Sequence, residues 1–312
     1  MSEFRRHASR LQAQHIDPVE VDGARYVPAS WLRSSIWQAD VASLVLLVVF
    51  VLFVTVAERA FQPRFSNNGL LLTGLAISVL PAVVWLAFFY RRDRREPEPK
   101  LLVLQQFVLG ALLASAVGIP LVENIFAVPT WLGSSPIWAQ LLGGLLIVGF
   151  VQEFLKYAAV RFSVYNSDEF DELTDGIVYT TAAGLGFATI LNIHFIIASG
   201  GVALGLAAVR IVLTTLAHAS FAGVTGYFLG REKFEDHPLW WMPLGIFLAA
   251  SLNSLFYYFR GLLAQGSLGA GSTIVGAWAG LILAVLLMAS VTAVLSYLIR
   301  RDLALLLDPA VE

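Results

Sequence analysis

IWAQLLGGLLIVGFVQEFLKYAAV, residues Ile137–Val160, is long and apolar enough to cross a bilayer, yet it carries Gln152, Glu153 and Lys156. A helix needs about 20 largely apolar residues to span ~30 Å of hydrocarbon. Glu153 and Lys156 stand three apart, so they share one helix face and can form an internal ion pair. Ionisable groups in a bilayer are costly and usually face a protected interior with a partner. Two readings of the pair are open. It keeps the helix end soluble near the cytoplasmic interface, with Lys156 snorkelling; or Glu153 is a buried carboxylate serving as general base or metal ligand.

Seven further stretches have the same character: Asp40–Ala57, Leu70–Tyr90, Leu101–Val122, Asp175–Ser199, Val202–Gly230, Leu239–Phe259 and Thr273–Leu298. The whole composition agrees. Of 312 residues, 58% are apolar and 13% charged, the latter about half the usual ~25% of a soluble protein, and the mean hydropathy is +0.74. The expected fold class is therefore all-α, a polytopic transmembrane helix bundle of about eight spans. A polar N-terminal arm over residues 1–38 precedes a membrane domain over 39–312. The arm lacks an apolar h-region and does not read as a signal peptide. Soluble enzyme and disulfide scaffold are excluded. The absence of cysteine removes thiolate metal ligands and a cysteine nucleophile, and a net charge of −2 points to no nucleic-acid partner.

With the N-terminus inside, the short inner loops and ends receive sixteen Lys and Arg, among them Arg91, Arg92, Arg94, Arg95, Lys100, Arg231, Lys233, Arg300 and Arg301. The outer side receives only Arg59, Arg64 and Arg260. That bias predicts a cell-membrane protein with both termini cytoplasmic. The inner loops include a charged elbow, Arg91–Lys100, and an acidic run, Asn166–Thr174. The outer segment Glu123–Pro136, with Trp131 and Trp138 nearby, suits an interfacial aromatic belt more than a catalytic loop.

The later spans hold further polar residues. The fifth opens with Asp175, a sensible N-cap, and continues through Gly184 and Gly186 to Asn192 and His194. The sixth aligns Arg210, Thr214 and His218 on one face. The seventh holds Ser251, Asn253, Ser254, Tyr257 and Tyr258. Each has a bland reading as an interhelical hydrogen bond or small-residue contact. Taken jointly, Glu153, Lys156, Asn192, Arg210, His218 and Asn253 are the groups available to partner one another, and they are expected to converge on one polar cavity between the fourth and seventh spans.

These stretches, in order, resemble the PrsW-type intramembrane protease family, relatives of the CAAX-prenyl endopeptidase and bacteriocin-processing group. Arg95-Glu-Pro-Glu-Pro99 resembles the family's EP elbow, and Gly149-Phe-Val-Gln-Glu-Phe-Leu-Lys156 its EExxK motif. Phe170-Asp-Glu-Leu-Thr-Asp-Gly-Ile-Val-Tyr179, running on to Gly184-Leu-Gly-Phe-Ala188 and Asn192, resembles its FDE…DG…GFa…EN block. Val209-Arg210 to His218-Ala219, ending at Gly230, resembles its R…HA…G helix. The likeness covers about residues 90–260.

What the resemblance implies is peptide-bond hydrolysis within the membrane, with Glu153, His218, Gln152 and Lys156 at the catalytic positions and Asp175, Asn192, Arg210 and Asn253 supporting them. If the chain is active, a divalent metal such as zinc would fall to Glu153 and His218, with His194 as an outside candidate. Partners would be the lipid bilayer and a membrane-protein substrate or partner complex. The match departs from the family at several points. The first acid of EExxK is Gln152, the acid of EN is Leu191, and the late histidine is Asn253. Helix rise of ~1.5 Å per residue also places His194 about 10 Å farther from the inner face than His218. Gln152 cannot take a proton from water, so the substitutions favour a weakly active or inactive homologue kept as a binding or structural subunit. An active protease is the alternative, and a bundle binding haem or pigment through His194 and His218 is a third.

Overall fold

The structure, a computed structural model, describes residues 19–21, 24–26, 29–61, 66–92, 99–200, 203–265 and 272–306, with side chains over 44–61, 66–87, 99–200, 203–261 and 278–298. Of the polar arm expected over 1–38, residues 1–18 lie outside the described part, as does most of the Arg91–Lys100 elbow. Within the arm, β1 (Val19–Val21) pairs antiparallel with β2 (Ala24–Tyr26) in the register Val19↔Tyr26. Among the described residues this hairpin is the one departure from helical elements. Helix α1 (Ala29–Phe61) begins inside the expected arm, and its described membrane span runs over Leu44–Phe61.

Eight helical segments among the described residues are long and apolar enough to cross a membrane. After α1 come α2 (Asn67–Arg92) and α3 (Lys100–Leu113), which runs on through π-helical turns at Ala114–Gly118 and Pro120–Ile125 to the short α4 (Val128–Trp131). The fourth crossing is likewise compound. Helix α5 (Ile137–Gly143) passes through π-helical turns at Gly144–Gly149 into α6 (Phe150–Arg161). Such wide turns recur at functional sites, and this one ends at Gly149, three residues before Gln152. Then follow α7 (Leu173–Ala198), α8 (Leu204–Phe234), α9 (Trp241–Gln265) and α10 (Ser272–Leu306).

Helix α8 is the axis of the bundle: 78% of its span is buried, against 11% of the first span and 17% of the last. Its partner is α7. Lipid offers no hydrophobic drive between helices, so small residues that admit close backbone approach hold such pairs together. A Cβ at Gly176 would strike the Gly226 carbonyl, one at Gly226 the Gly176 carbonyl, and one at Gly184 would stand 2.7 Å from the Ala222 Cβ. The start of α8 is held from outside the pair, where the Glu58 carboxylate of α1 accepts the amides of Leu204 and Gly205, both at 2.8 Å. At the opposite end, the Lys233 ammonium donates to the carbonyls of Tyr165 (2.6 Å) and Phe170 (2.5 Å), fastening the Asn166–Thr174 loop to α8.

Candidate active site

Glu153 and Lys156 sit one turn apart on α6, and neither side chain has exposed surface. Lys156 Nζ donates to Glu153 Oε1 at 2.7 Å. The snorkelling alternative is thereby overturned, because a lysine reaching for the interface would show its ammonium. Taking both charges out of water costs several kcal/mol per ion unless geometry and further hydrogen bonds compensate. Here Asn253 supplies them. Its Nδ2 donates to Glu153 Oε1 at 2.8 Å and to Gln152 Oε1 at 3.0 Å.

What brings α9 close enough is the glycine-bearing π turn. A Cβ at Gly149 would run into the Ala250 carbonyl, and one at Gly144 would lie 2.7 Å from Ser254 Oγ. Asn253 lies between those two contacts along α9. The register of the α9 crossing therefore places its amide against the Gln152–Glu153 pair.

His218 approaches from α8. Its ring stacks on Phe187 of α7 at 5.9 Å between centroids and meets Phe221 edge-on at 5.7 Å. The Lys156 ammonium lies 5.7 and 5.6 Å from the centroids of those same two rings. Carboxylate, ammonium, aromatic rings and imidazole thus form one continuous buried cluster. Two polar atoms in it are buried with no hydrogen-bond partner: Glu153 Oε2 and His218 Nδ1. Buried polar atoms are almost always satisfied, so two orphans in one cluster mark a place for a guest with polar atoms of its own.

The remaining expected residues fall elsewhere. Asn192 donates to the Ile211 carbonyl (3.3 Å) and Thr215 Oγ1 (3.4 Å), binding α7 to α8 beside His218 rather than facing Glu153. Arg210 lies over the Phe195 ring, 3.6 Å from its centroid, toward the opposite end from the α6 ion pair. Asp175 is not the N-cap of α7. Glu172 is, and Asp175 closes a capping box from the third helical position, accepting the amides of Asp171 (2.9 Å) and Glu172 (2.6 Å). His194 hydrogen-bonds Glu123 at 2.9 Å and is half-exposed. The group that comes together is therefore smaller than expected. It keeps Glu153, Lys156, Asn253 and His218, loses Asn192 and Arg210, and gains Gln152, Phe187 and Phe221. The GLGFA block containing Phe187 was readable only as a helix contact, because an aromatic in an apolar helix carries no mark of the charge it covers.

The description "PrsW family intramembrane metalloprotease" matches residues 98–295, which hold every member of this cluster. The protease PrsW of Geobacillus kaustophilus is 37% identical over 160 residues, covering 51% of this chain and 67% of that protein. That of Halalkalibacterium halodurans is 34% identical over 188 residues, covering 58% and 80%. The Bacillus subtilis protein is 29% identical over 184 residues, again covering 58% and 80%. The chain belongs to the PrsW family. No solved structure matches it.

The metal in the family's description can be tested against these residues. A catalytic zinc takes three protein ligands as a rule. No group of three or more His, Asp or Glu that could hold a metal occurs among the described residues. The cluster offers one free carboxylate oxygen, Glu153 Oε2, and a single imidazole, His218. The other carboxylate oxygen is bound by a lysine ammonium, a cation that opposes a second cation beside it. Of the two neutral amides, Gln152 has its oxygen engaged by Asn253 Nδ2, and Asn253 turns its nitrogen, not its oxygen, to Glu153. This donor set does not fit a zinc-type centre.

Proposed function

We propose that the chain is a working intramembrane protease in which Glu153 is the base that activates water. The observation that supports it is the pair of buried orphan atoms, Glu153 Oε2 and His218 Nδ1, in a cluster walled by Phe187 and Phe221. A water on Oε2 gives its proton to the carboxylate as its oxygen attacks the scissile carbonyl carbon. The proton then passes to the leaving amine nitrogen as the C–N bond breaks, and Glu153 returns to the carboxylate. His218, carrying its proton on Nδ1, donates to the carbonyl oxygen as negative charge builds there. Lys156 and Asn253 hold Oε1, so the reactive oxygen points one way. The substrate on this reading is a membrane-spanning protein. The sixteen inner Lys and Arg support a cell-membrane protein with both termini in the cytoplasm.

Gln152 supports the rival reading, a homologue without turnover retained as a binding or structural subunit. Yet its side chain positions Asn253 rather than standing where water must be deprotonated, so its neutrality leaves Glu153 available. The deciding experiment is cleavage of a single-span substrate by the reconstituted chain, with Glu153→Gln and Gln152→Glu beside it. General-base catalysis contributes about 10²–10⁴-fold. A loss of that size in Glu153→Gln with little change in Gln152→Glu supports the protease. No turnover in the unaltered chain and a strong gain on Gln152→Glu overturns it in favour of the rival.

A further inference from the structure

We propose that the second half of the third span, residues 114–125, is a side door through which the membrane-spanning substrate reaches the Glu153–His218 cluster, with Glu123 and His194 as its latch; this rests on the protease reading. Behind the door stands Phe187. A Cβ at Gly118 would lie 2.8 Å from the Phe187 ring and 3.4 Å from Leu155 of α6. The same ring stacks on His218 at 5.9 Å and lies 5.7 Å from the Lys156 ammonium. One turn of backbone therefore separates the aromatic wall of the cluster from the protein surface, where Ser115 and Ala116 are exposed.

The helix pairs that enclose the cluster elsewhere are locked backbone to backbone. A Cβ would strike the Ala183 carbonyl from Gly110, the Phe107 carbonyl from Gly186, the Gly226 carbonyl from Gly176 and the Ala250 carbonyl from Gly149. Contacts this close leave one helix no room to slide on the next. The first half of the third span is thus fixed to α7 as far as Gly110. Past Leu113 the bonding changes. The π turns at Ala114–Gly118 and Pro120–Ile125 are of the kind at which helices bend, and Pro120 has no N–H to close the turn before it. Ala114 and Gly118 are buried in this stretch, whereas no residue from Pro120 to Ile125 is. Just beyond it Ala127 stands at φ 46°, and left-handed backbone at a residue with a side chain is strain of the sort that collects at clamps and switch regions.

Among the described residues, one side-chain hydrogen bond ties this stretch to another helix: His194 Nε2 of α7 stands 2.9 Å from Glu123 Oε2. The two side chains are 38% and 37% exposed, and pairs so open to the surroundings are weak. Weakness suits a latch, which has to release at small cost. A membrane-spanning substrate arrives sideways, in the plane of the bilayer, so its entry needs a gap between two helices. With the latch released, the stretch swings about its π turns away from α7. Gly118 then uncovers Phe187 and Leu155, and the substrate backbone gains the cluster behind them.

The chain has no cysteine, so the test introduces two. In the full chain carrying Glu123→Cys and His194→Cys, in phosphatidylcholine vesicles, a reducible bis-methanethiosulfonate linker bridges the door to α7. We expect bridging to abolish cleavage of a single-span peptide and dithiothreitol to restore it, while each single cysteine treated alike stays active. The unbridged protein is its own control for folding. The same two cysteines in the Glu153→Gln chain, with binding of a fluorescent single-span peptide as the readout, separate entry from turnover, and the bridge should prevent binding there too. Glu123→Gln and His194→Gln release the latch and should raise the association rate of that peptide about two- to five-fold, the factor a weak exposed pair is worth. Loss of binding on bridging supports the door even if no peptide is cut, in which case the protease reading alone falls. Undiminished binding to the bridged chain overturns the door, and cleavage by the same chain leaves the protease reading standing.

Discussion

Asn253 on α9 donates one amide hydrogen to Gln152 and the other to Glu153 on α6, at 3.0 and 2.8 Å, with all three side chains buried. Two helices a hundred residues apart in sequence are thus joined at Gln152 and Glu153.

Removing Lys156 leaves Glu153 buried beside a single amide donor. Losing one partner of a buried ion pair costs about 3–5 kcal/mol. We expect Lys156→Met to lower thermal stability in detergent markedly and to abolish cleavage. The double variant Glu153→Gln/Lys156→Met, with no unpaired charge, should recover much of the stability and none of the cleavage. Melting curves of the three variants decide it; a Lys156→Met protein as stable as the parent would refute the pair's role.

Gly149 should tolerate no side chain. The Ala250 carbonyl occupies the space that a Cβ would need, so Gly149→Ala must push α9 and Asn253 away from Glu153. Overpacking of this kind costs about 1–3 kcal/mol, and activity should fall more than stability does. Gly133, with nothing within 4 Å of its Cβ position, provides the control: Gly133→Ala should be silent in both measurements.

Chelation should not stop turnover. The cluster's donors fall short of a zinc-type set, and the Lys156 ammonium already neutralises Glu153. Cleavage by the reconstituted chain is expected to persist in millimolar EDTA or 1,10-phenanthroline. Loss of activity that added zinc restores would show that the guest in the cluster is a metal.

Glu58 caps α8 from another helix, so its loss should be felt at a distance. Glu58→Ala frees the amides of Leu204 and Gly205, and helix caps are worth about 0.5–2 kcal/mol. A lower melting temperature with faster amide exchange in the first turn of α8 is the expected result. Unchanged exchange at Leu204 and Gly205 would remove Glu58 from that role.

Much of this protein could be read before any fold was known. Apolar length set the eight crossings, because hydrocarbon thickness dictates how many residues a helix needs. Helical period paired Glu153 with Lys156, since residues three apart on one helix must share a face. Depth along the helices separated His194 from His218, and the structure pairs His194 with Glu123 instead. Relations between helices were out of reach of such rules. Arg210 and His218 share a face of α8, yet one lies over Phe195 and the other between Phe187 and Phe221. Asn253 is expected among the polar groups of the fourth to seventh spans, but that its amide reaches Gln152 and Glu153 together follows from Gly144 and Gly149, which let α9 settle against the π turn. A span's own sequence carries its length, its polar face and its caps. Which faces meet, and in what register, depends on where two backbones can approach without colliding, and that is a property of the pair.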